Sequence, residues 1–105
     1  MIGNRMQVHP MSEAELKASV VKLAHDMGWM VFSMPQAGRH PRSVKSASGY
    51  PDLTLARNGR VLWFELKRDK ASMSQDQLDW MRHLRNAHTI TPGALRDGTV
   101  ARLLA

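Results

Sequence analysis

Three observations in the sequence predict an α/β fold, with a small mixed β-sheet flanked by helices. Ser12 and Ser74 each begin a segment with the residue pattern of a helix capping box. Between them, the pair Asn58-Gly59 separates two apolar runs, which is the strongest short-range signal for a β-hairpin. Helical and strand-like segments alternate along the chain, so we expect an αβββαβ order built around one core.

The first helix is predicted to begin at Ser12, where Glu15 completes the capping box three residues later. Gly28 is expected to end this helix. We expect residues 1–11 to be a flexible tail and residues 12–105 to form a single domain. The apolar positions of the helix recur at helical spacing, at Leu16, Val20, Leu23, Ala24 and Met27.

The remaining elements are predicted from shorter patterns. Residues 29–34 (WMVFSM) form an apolar run with strand character, and a long polar loop occupies residues 35–50. A second helix is expected near Ser74, followed by a short strand at residues 88–91. Residues 100–104 fit either a final helical turn or a strand, and the sequence leaves both possibilities open.

Composition restricts the class of protein. The chain of 105 residues has no cysteine, which excludes disulfides and thiolate zinc sites. No apolar run approaches the roughly 20 residues that span a bilayer, so we expect a soluble, cytoplasmic protein. Fifteen Lys and Arg against nine Asp and Glu give a net charge of +6, which favours a polyanionic partner. A basic protein without any nucleic-acid role would have the same composition.

The register of the predicted hairpin brings charged residues together. If Asn58 and Gly59 are the two loop residues, Asp52 lies opposite Glu65, with Cβ atoms about 4.5–5.5 Å apart. Lys67 lies on the same face, two residues beyond Glu65. The other face is expected to be the core side, and it carries Leu53, Leu55, Leu62, Phe64 and Leu66.

Two carboxylates at this spacing indicate a metal site. They repel by ~3 kcal/mol at an effective dielectric constant of 20, and a divalent cation reverses the sign of that interaction. Oxygen ligands favour Mg²⁺ or Mn²⁺ over zinc, and a neighbouring lysine suits phosphodiester hydrolysis. The alternatives are a solvated hairpin end, or a plain ion pair of Lys67 with Glu65 or Asp52. The strongly apolar strand around Glu65 argues against the solvated end.

The motifs also resemble a known nuclease family. Pro51-Asp52 followed by Glu65-Leu66-Lys67 matches the PD-(D/E)xK pattern, which by itself is short and unspecific. With residues 49–53 (GYPDL), the hairpin, and residues 74–80 (SQDQLDW) in order, the chain resembles the VRR-NUC branch of that superfamily, which includes stand-alone phage proteins and larger repair nucleases. The resemblance covers about residues 12–91. It departs from the family after the second helix, where residues 86–92 form a short, quickly interrupted strand pattern.

The resemblance implies roles for individual residues. Asp52 and Glu65 would bind the metal ion, with the backbone carbonyl of Leu66 as a third ligand, and Lys67 would be the catalytic lysine. Gln77 is similar to the family's glutamine on the following helix. Its helical position predicts that it points towards the sheet, and it also completes a capping box with Ser74.

The family also uses a glutamate from the first helix, for which Glu13 and Glu15 compete. Glu13 lies three residues before Leu16, near the inward face of the helix, whereas Glu15 points away from that face and already belongs to the capping box. We therefore favour Glu13 as a further metal ligand.

The resemblance implies an Mg²⁺- or Mn²⁺-dependent DNA endonuclease, encoded by a bacterium or a phage, that acts on branched or flap DNA as a homodimer. The alternatives are a non-catalytic, basic DNA-binding module and an RNase of the same fold. Five basic residues flank the expected site, and we expect them to contact DNA phosphates: Arg39, Arg42, Lys45, Arg68 and Lys70.

Overall fold

The elements follow the predicted order αβββαβ and then add two short helices. A computed structural model describes residues 10–35 and 48–105. Its helices are α1 (Glu13–Asp26), α2 (Gln75–His83), α3 (Pro92–Arg96) and α4 (Thr99–Leu104). Its strands are β1 (Met30–Ser33), β2 (Leu53–Arg57), β3 (Arg60–Leu66) and β4 (Ala87–Ile90).

The four strands form one mixed sheet in the order β1-β2-β3-β4. Strands β1, β2 and β3 are antiparallel neighbours, whereas β4 pairs parallel to β3. A parallel pair needs a crossover connection, and α2 lies within that connection. The predicted fold class, a small mixed sheet flanked by helices, is confirmed.

The structure decides two features of the C-terminal part of the chain: the last strand and the conformation of residues 100–104. The short last strand is present, and it begins at Ala87, one residue before the predicted start. Residues 100–104 belong to helix α4 and not to a strand. None of the helices in residues 10–35 and 48–105 is long and apolar enough to cross a membrane.

The β2–β3 hairpin has the predicted turn and register. Asn58 and Gly59 have φ angles of 49° and 81°, the left-handed values that a type I′ turn requires at both positions. Leu53 pairs with Phe64, and Leu55 pairs with Leu62. All four of these side chains are buried, because strand alternation turns them to the same face of the sheet.

Helices α1 and α4 supply the other side of the core. Leu16, Val20 and Ala24 of α1 are buried, as the helical spacing predicts. Val100 and Leu104 of α4 join the same cluster. Leu23 and Met27, the other two apolar positions of the α1 pattern, pack against this core while partly exposed.

Both ends of α1 are capped as predicted. The Ser12 hydroxyl accepts a hydrogen bond from the Glu15 N–H at 3.1 Å, and the Glu15 carboxylate accepts one from the Ser12 N–H at 2.9 Å. At the other end, Gly28 follows the last helical turn with a φ angle of 88°. Most of the predicted tail, residues 1–9, lies outside the described residues, while Met11 packs against the core.

Replacing Ser12 with alanine is expected to lower the free energy of unfolding by about 1 kcal/mol, because the Glu15 N–H loses its acceptor. Urea denaturation measures the change. The matched variant Ser12→Asp keeps an acceptor at the cap and is expected to stay close to wild type. Equal losses in both variants would contradict the capping role.

Candidate active site

Asp52 is fixed between two strands at the open end of the hairpin. It directly precedes β2, and its backbone carbonyl accepts a hydrogen bond from the Met34 N–H at 2.8 Å. Its carboxylate Oδ2 accepts a hydrogen bond from the backbone N–H of Leu66, also at 2.8 Å. The strand pairing itself ends at Leu53 and Phe64, so the side chain of Asp52 completes the contact with β3.

Glu65 is the one buried charged side chain among the described residues, with 3% of its surface exposed. Its Oε2 accepts a hydrogen bond from Nε2 of Gln77 at 2.8 Å. Burial raises the pKa of Glu65 to about 8, and the negative charges of Asp52 and Glu13 raise it as well. The positive charge of Lys67 acts in the opposite direction on this pKa.

The two carboxyl groups therefore share one region, as the hairpin register predicts. A hydrogen bond between them contributes to the raised pKa of Glu65, because the protonated form of Glu65 can donate to Asp52. The raised pKa favours the protonated form of Glu65 at neutral pH. A divalent cation would replace that proton, because it neutralises both carboxylates at once.

Lys67 directly follows β3 and is half-buried. Its backbone N–H donates to the carbonyl of Ile90 at 2.9 Å, which holds it against the end of β4. The ion pairs formed by the described residues do not include Lys67; they are Lys22–Asp26, Arg82–Asp79 and Arg96–Asp69. The alternative of a plain ion pair with Glu65 or Asp52 is therefore not what the structure contains.

The two candidate glutamates of α1 have different surroundings. Both lie in the first turn of the helix and are exposed. The negative charge of Glu13 raises the pKa of Glu65, but Glu13, Asp52 and Glu65, all described residues, do not come together as a group that could hold a metal ion. The carboxylate of Glu15 accepts the Ser12 N–H in the capping box. Glu13 as the first-helix member of the site therefore stays a prediction.

Gln77 has both of the roles that its position allows. Its Oε1 accepts a hydrogen bond from the Ser74 N–H at 2.8 Å, and its backbone N–H donates to the Ser74 hydroxyl at 3.1 Å. Its Nε2 points to the sheet and donates to Glu65. The side chain therefore joins the start of α2 to the carboxylate pair.

The predicted DNA-contacting residues divide into two groups. Arg68 and Lys70 are exposed in the segment that follows β3, next to Lys67. Arg39, Arg42 and Lys45 lie outside the described residues.

The side chains alone do not form a metal-binding group. Within residues 10–35 and 48–105, no three His, Cys, Asp or Glu residues come together in a way that could hold a metal ion. A cation between Asp52 and Glu65 would therefore need further oxygen ligands, such as the Leu66 carbonyl and water. This donor set fits Mg²⁺, which usually keeps several waters and takes one or two carboxylates.

The sequence patterns indicate no role for Tyr50 or Trp80. Trp63 on β3 donates from Nε1 to the Tyr50 hydroxyl at 2.7 Å. The Tyr50 ring meets Trp80 edge-on, with ring centroids 4.8 Å apart. The available signal was a tyrosine two residues before Asp52, directly after Gly49.

A scan against protein-family models finds no family that matches the chain, and searches of curated proteins and of solved structures also find no match. The resemblance to the VRR-NUC family therefore depends on the sequence motifs quoted above.

Proposed function

We propose that the chain is a metal-dependent phosphodiesterase whose metal ligands are Asp52 and Glu65. More particularly, we propose a DNA endonuclease of the VRR-NUC type. The observation that carries the proposal is the buried carboxylate of Glu65, which lies beside Asp52 and is held there by Gln77.

This arrangement is hard to explain as a structural device. Burial of a carboxylate without a cationic partner destabilises a protein, and a second carboxylate nearby increases that cost. Glu65 has Gln77 as a hydrogen-bond donor, but it forms no ion pair with another described residue. A site that binds a divalent cation accounts for both carboxylates.

The ligand set favours Mg²⁺ or Mn²⁺, with Asp52, Glu65 and the Leu66 carbonyl as the protein ligands and Glu13 at the edge. When bound, such a cation polarises the phosphoryl oxygens and lowers the pKa of its bound water. Lys67 would orient that water, or offset the negative charge that develops on the phosphoryl group in the transition state. Gln77 would hold the Glu65 carboxylate in place.

Charge and family resemblance support DNA as the substrate. The net charge of +6 favours a polyanion, and the exposed Arg68 and Lys70 next to Lys67 are suited to backbone phosphates. The resemblance to VRR-NUC proteins suggests branched or flap DNA. One site cuts one strand, so a symmetric branched substrate would suit a homodimer.

The test is cleavage of labelled duplex, flap and four-way-junction DNA in Mg²⁺, Mn²⁺ or EDTA. We expect cleavage only with a metal ion, and a decrease of about 10²–10³-fold in the Lys67→Ala variant, because one charge-stabilising group is lost. Lys22→Ala is the matched control. It removes the same charge from an exposed site on α1 and is expected to cut like wild type.

The outcomes separate the alternatives. Wild-type protein that binds DNA but never cuts it with either metal would overturn the nuclease proposal and favour a non-catalytic binding module. Preferential cleavage of RNA of the same shapes would favour an RNase. Equal cleavage by Lys67→Ala and Lys22→Ala would contradict the role proposed for Lys67.

A further inference from the structure

We propose that Ser48, Gly49, Tyr50 and Trp80 form a clamp that holds α2 on the sheet and thereby positions Gln77 against Glu65. We call these four residues the α2 clamp. The inference rests on the proposed function, because it assigns positioning residues for that reaction. The clamp acts through Gln77 and forms no hydrogen bond with either of the two proposed carboxylate ligands.

Apolar burial does not hold α2 in place. The helix has no buried residue, and Leu78 leaves 44% of its surface exposed. By contrast, α1 buries three residues and α4 buries two. Because buried apolar surface is the usual source of helix attachment, α2 depends on a small number of specific contacts.

Within residues 10–35 and 48–105, such contacts come from the segment just before Asp52. The Ser48 hydroxyl donates to the Asp76 carboxylate at 2.8 Å, in the first turn of α2. Trp80 Nε1, one turn further along, donates to the Ser48 carbonyl at 3.1 Å. The Tyr50 ring packs edge-on against the Trp80 ring, at an interplanar angle of 80°.

Tyr50 also connects the clamp to the sheet. Its hydroxyl accepts a hydrogen bond from Nε1 of Trp63 on β3, and it lies 3.4 Å from the Thr54 hydroxyl on β2. Tyr50 is two residues before Asp52 in the chain. The same short segment therefore contacts α2, which carries Gln77, and leads directly into Asp52.

Gly49 shows how closely this segment approaches the helix. Its φ angle is 81°, and a Cβ atom built there would lie 2.5 Å from the backbone carbonyl carbon of Asp76 and 2.7 Å from the backbone nitrogen of Gln77. Real Cβ atoms essentially never approach within 3.0 Å of a neighbour, so an alanine must push the first turn of α2 away by about 0.5 Å or more. Gln77 lies in that turn, and its Nε2 donates to Glu65 at 2.8 Å.

The test compares Gly49→Ala with Gly59→Ala. Both glycines have a φ angle of 81°, so both substitutions place an alanine at a positive φ, but a Cβ atom at Gly59 meets nothing within 4 Å. The first readout is the side-chain amide NMR signal of Gln77, identified by its absence in Gln77→Ala. We expect Gly49→Ala to move this signal to the position of a solvated glutamine, and Gly59→Ala to leave it unchanged.

The second readout is a double-mutant cycle for metal-dependent DNA cleavage. We expect Gly49→Ala to lower kcat by a factor similar to that of Gln77→Ala, and the double variant to be no slower than either single one. A general loss of stability would instead multiply the two effects. Alanine has the smallest side chain that can replace glycine, so no milder substitution exists at Gly49. Trp80→Phe therefore serves as the milder variant of the clamp. It keeps an aromatic ring against Tyr50 but removes the hydrogen bond to Ser48, and it carries the same tests if Gly49→Ala does not fold.

An unchanged Gln77 signal in a folded clamp variant would overturn the clamp, and so would multiplicative losses in the cycle. If the wild-type protein cuts no DNA, the proposed function fails, while the NMR signal still decides whether the clamp positions Gln77.

Discussion

The Glu65→Gln variant is expected to lose metal-dependent cleavage and, in the absence of metal, to be more stable than wild type above neutral pH. Both effects have one origin. Glu65 is a buried carboxylate next to Asp52, and its charge is unfavourable until a cation is bound. Glutamine removes this charge and, with it, a proposed metal ligand.

Glutamine is suited to this test because it keeps the shape of the side chain. Its amide oxygen can still accept the hydrogen bond from Gln77 Nε2 that Glu65 now accepts. Its amide nitrogen can donate to Asp52, as the protonated Glu65 does. The variant therefore resembles the protonated protein, and a loss of metal binding would not reflect a cavity or a broken core.

Thermal denaturation at pH 8 measures both effects. In EDTA we expect a higher Tm for Glu65→Gln than for wild type. On addition of Mn²⁺, wild type should gain stability by binding to the folded state, about 2.7 kcal/mol at a hundred times Kd, whereas the variant should gain little. Asp26→Asn is the matched control, since its carboxylate is exposed on α1. Equal stabilisation of Glu65→Gln and wild type by Mn²⁺ would show that Glu65 is not a ligand.

The hairpin site could be predicted from sequence because a short-range rule determines it. Asn58-Gly59 specifies the turn, the turn specifies the register, and strand alternation then separates the core residues from Glu65 and Lys67. No contact between distant segments is needed for that argument. The same holds for the capping boxes of α1 and α2, which join residues three positions apart.

The burial of Glu65 and the α2 clamp could not be predicted in this way. Both depend on where α2 lies. The helical spacing predicts which side chains of α2 turn towards the sheet, but it does not show which part of the sheet they meet. Trp80 contacts Ser48, a residue 32 positions away, and Gly49 approaches the backbone of Asp76. The sequence leaves the secondary structure of the C-terminal segment open for a different reason. Residues 100–104 are too few to distinguish the helical period from the strand period.

The contribution of Glu65 to the stability of the metal-free wild-type protein is expected to fall as the pH rises from about 4.5 to about 8. The pKa of Glu65 is raised from its ordinary value of 4.5 to about 8 in the folded state. Between these values the folded protein holds a proton that the unfolded chain has released, so stability decreases with pH. It is highest below pH 4.5 for this group, and the loss is complete above pH 8.

The measurement is the difference in unfolding free energy between wild type and Glu65→Gln in EDTA, from pH 5 to pH 8.5. His88 titrates in the same range with the opposite sign. Because His88 is present in both proteins, its contribution cancels and the difference isolates Glu65. Burial lowers the pKa of His88, so that group adds stability as the pH rises towards its ordinary value of 6.5.

We expect the advantage of the variant to grow with pH, to the order of a few kcal/mol at pH 8. Saturating Mn²⁺ should remove the pH dependence that Glu65 causes, because the cation competes with the proton for the same carboxylate. A difference that stays constant from pH 5 to pH 8.5 would mean that Glu65 is charged at low pH even without metal. The electrostatic argument for a cation between Asp52 and Glu65 would then fail.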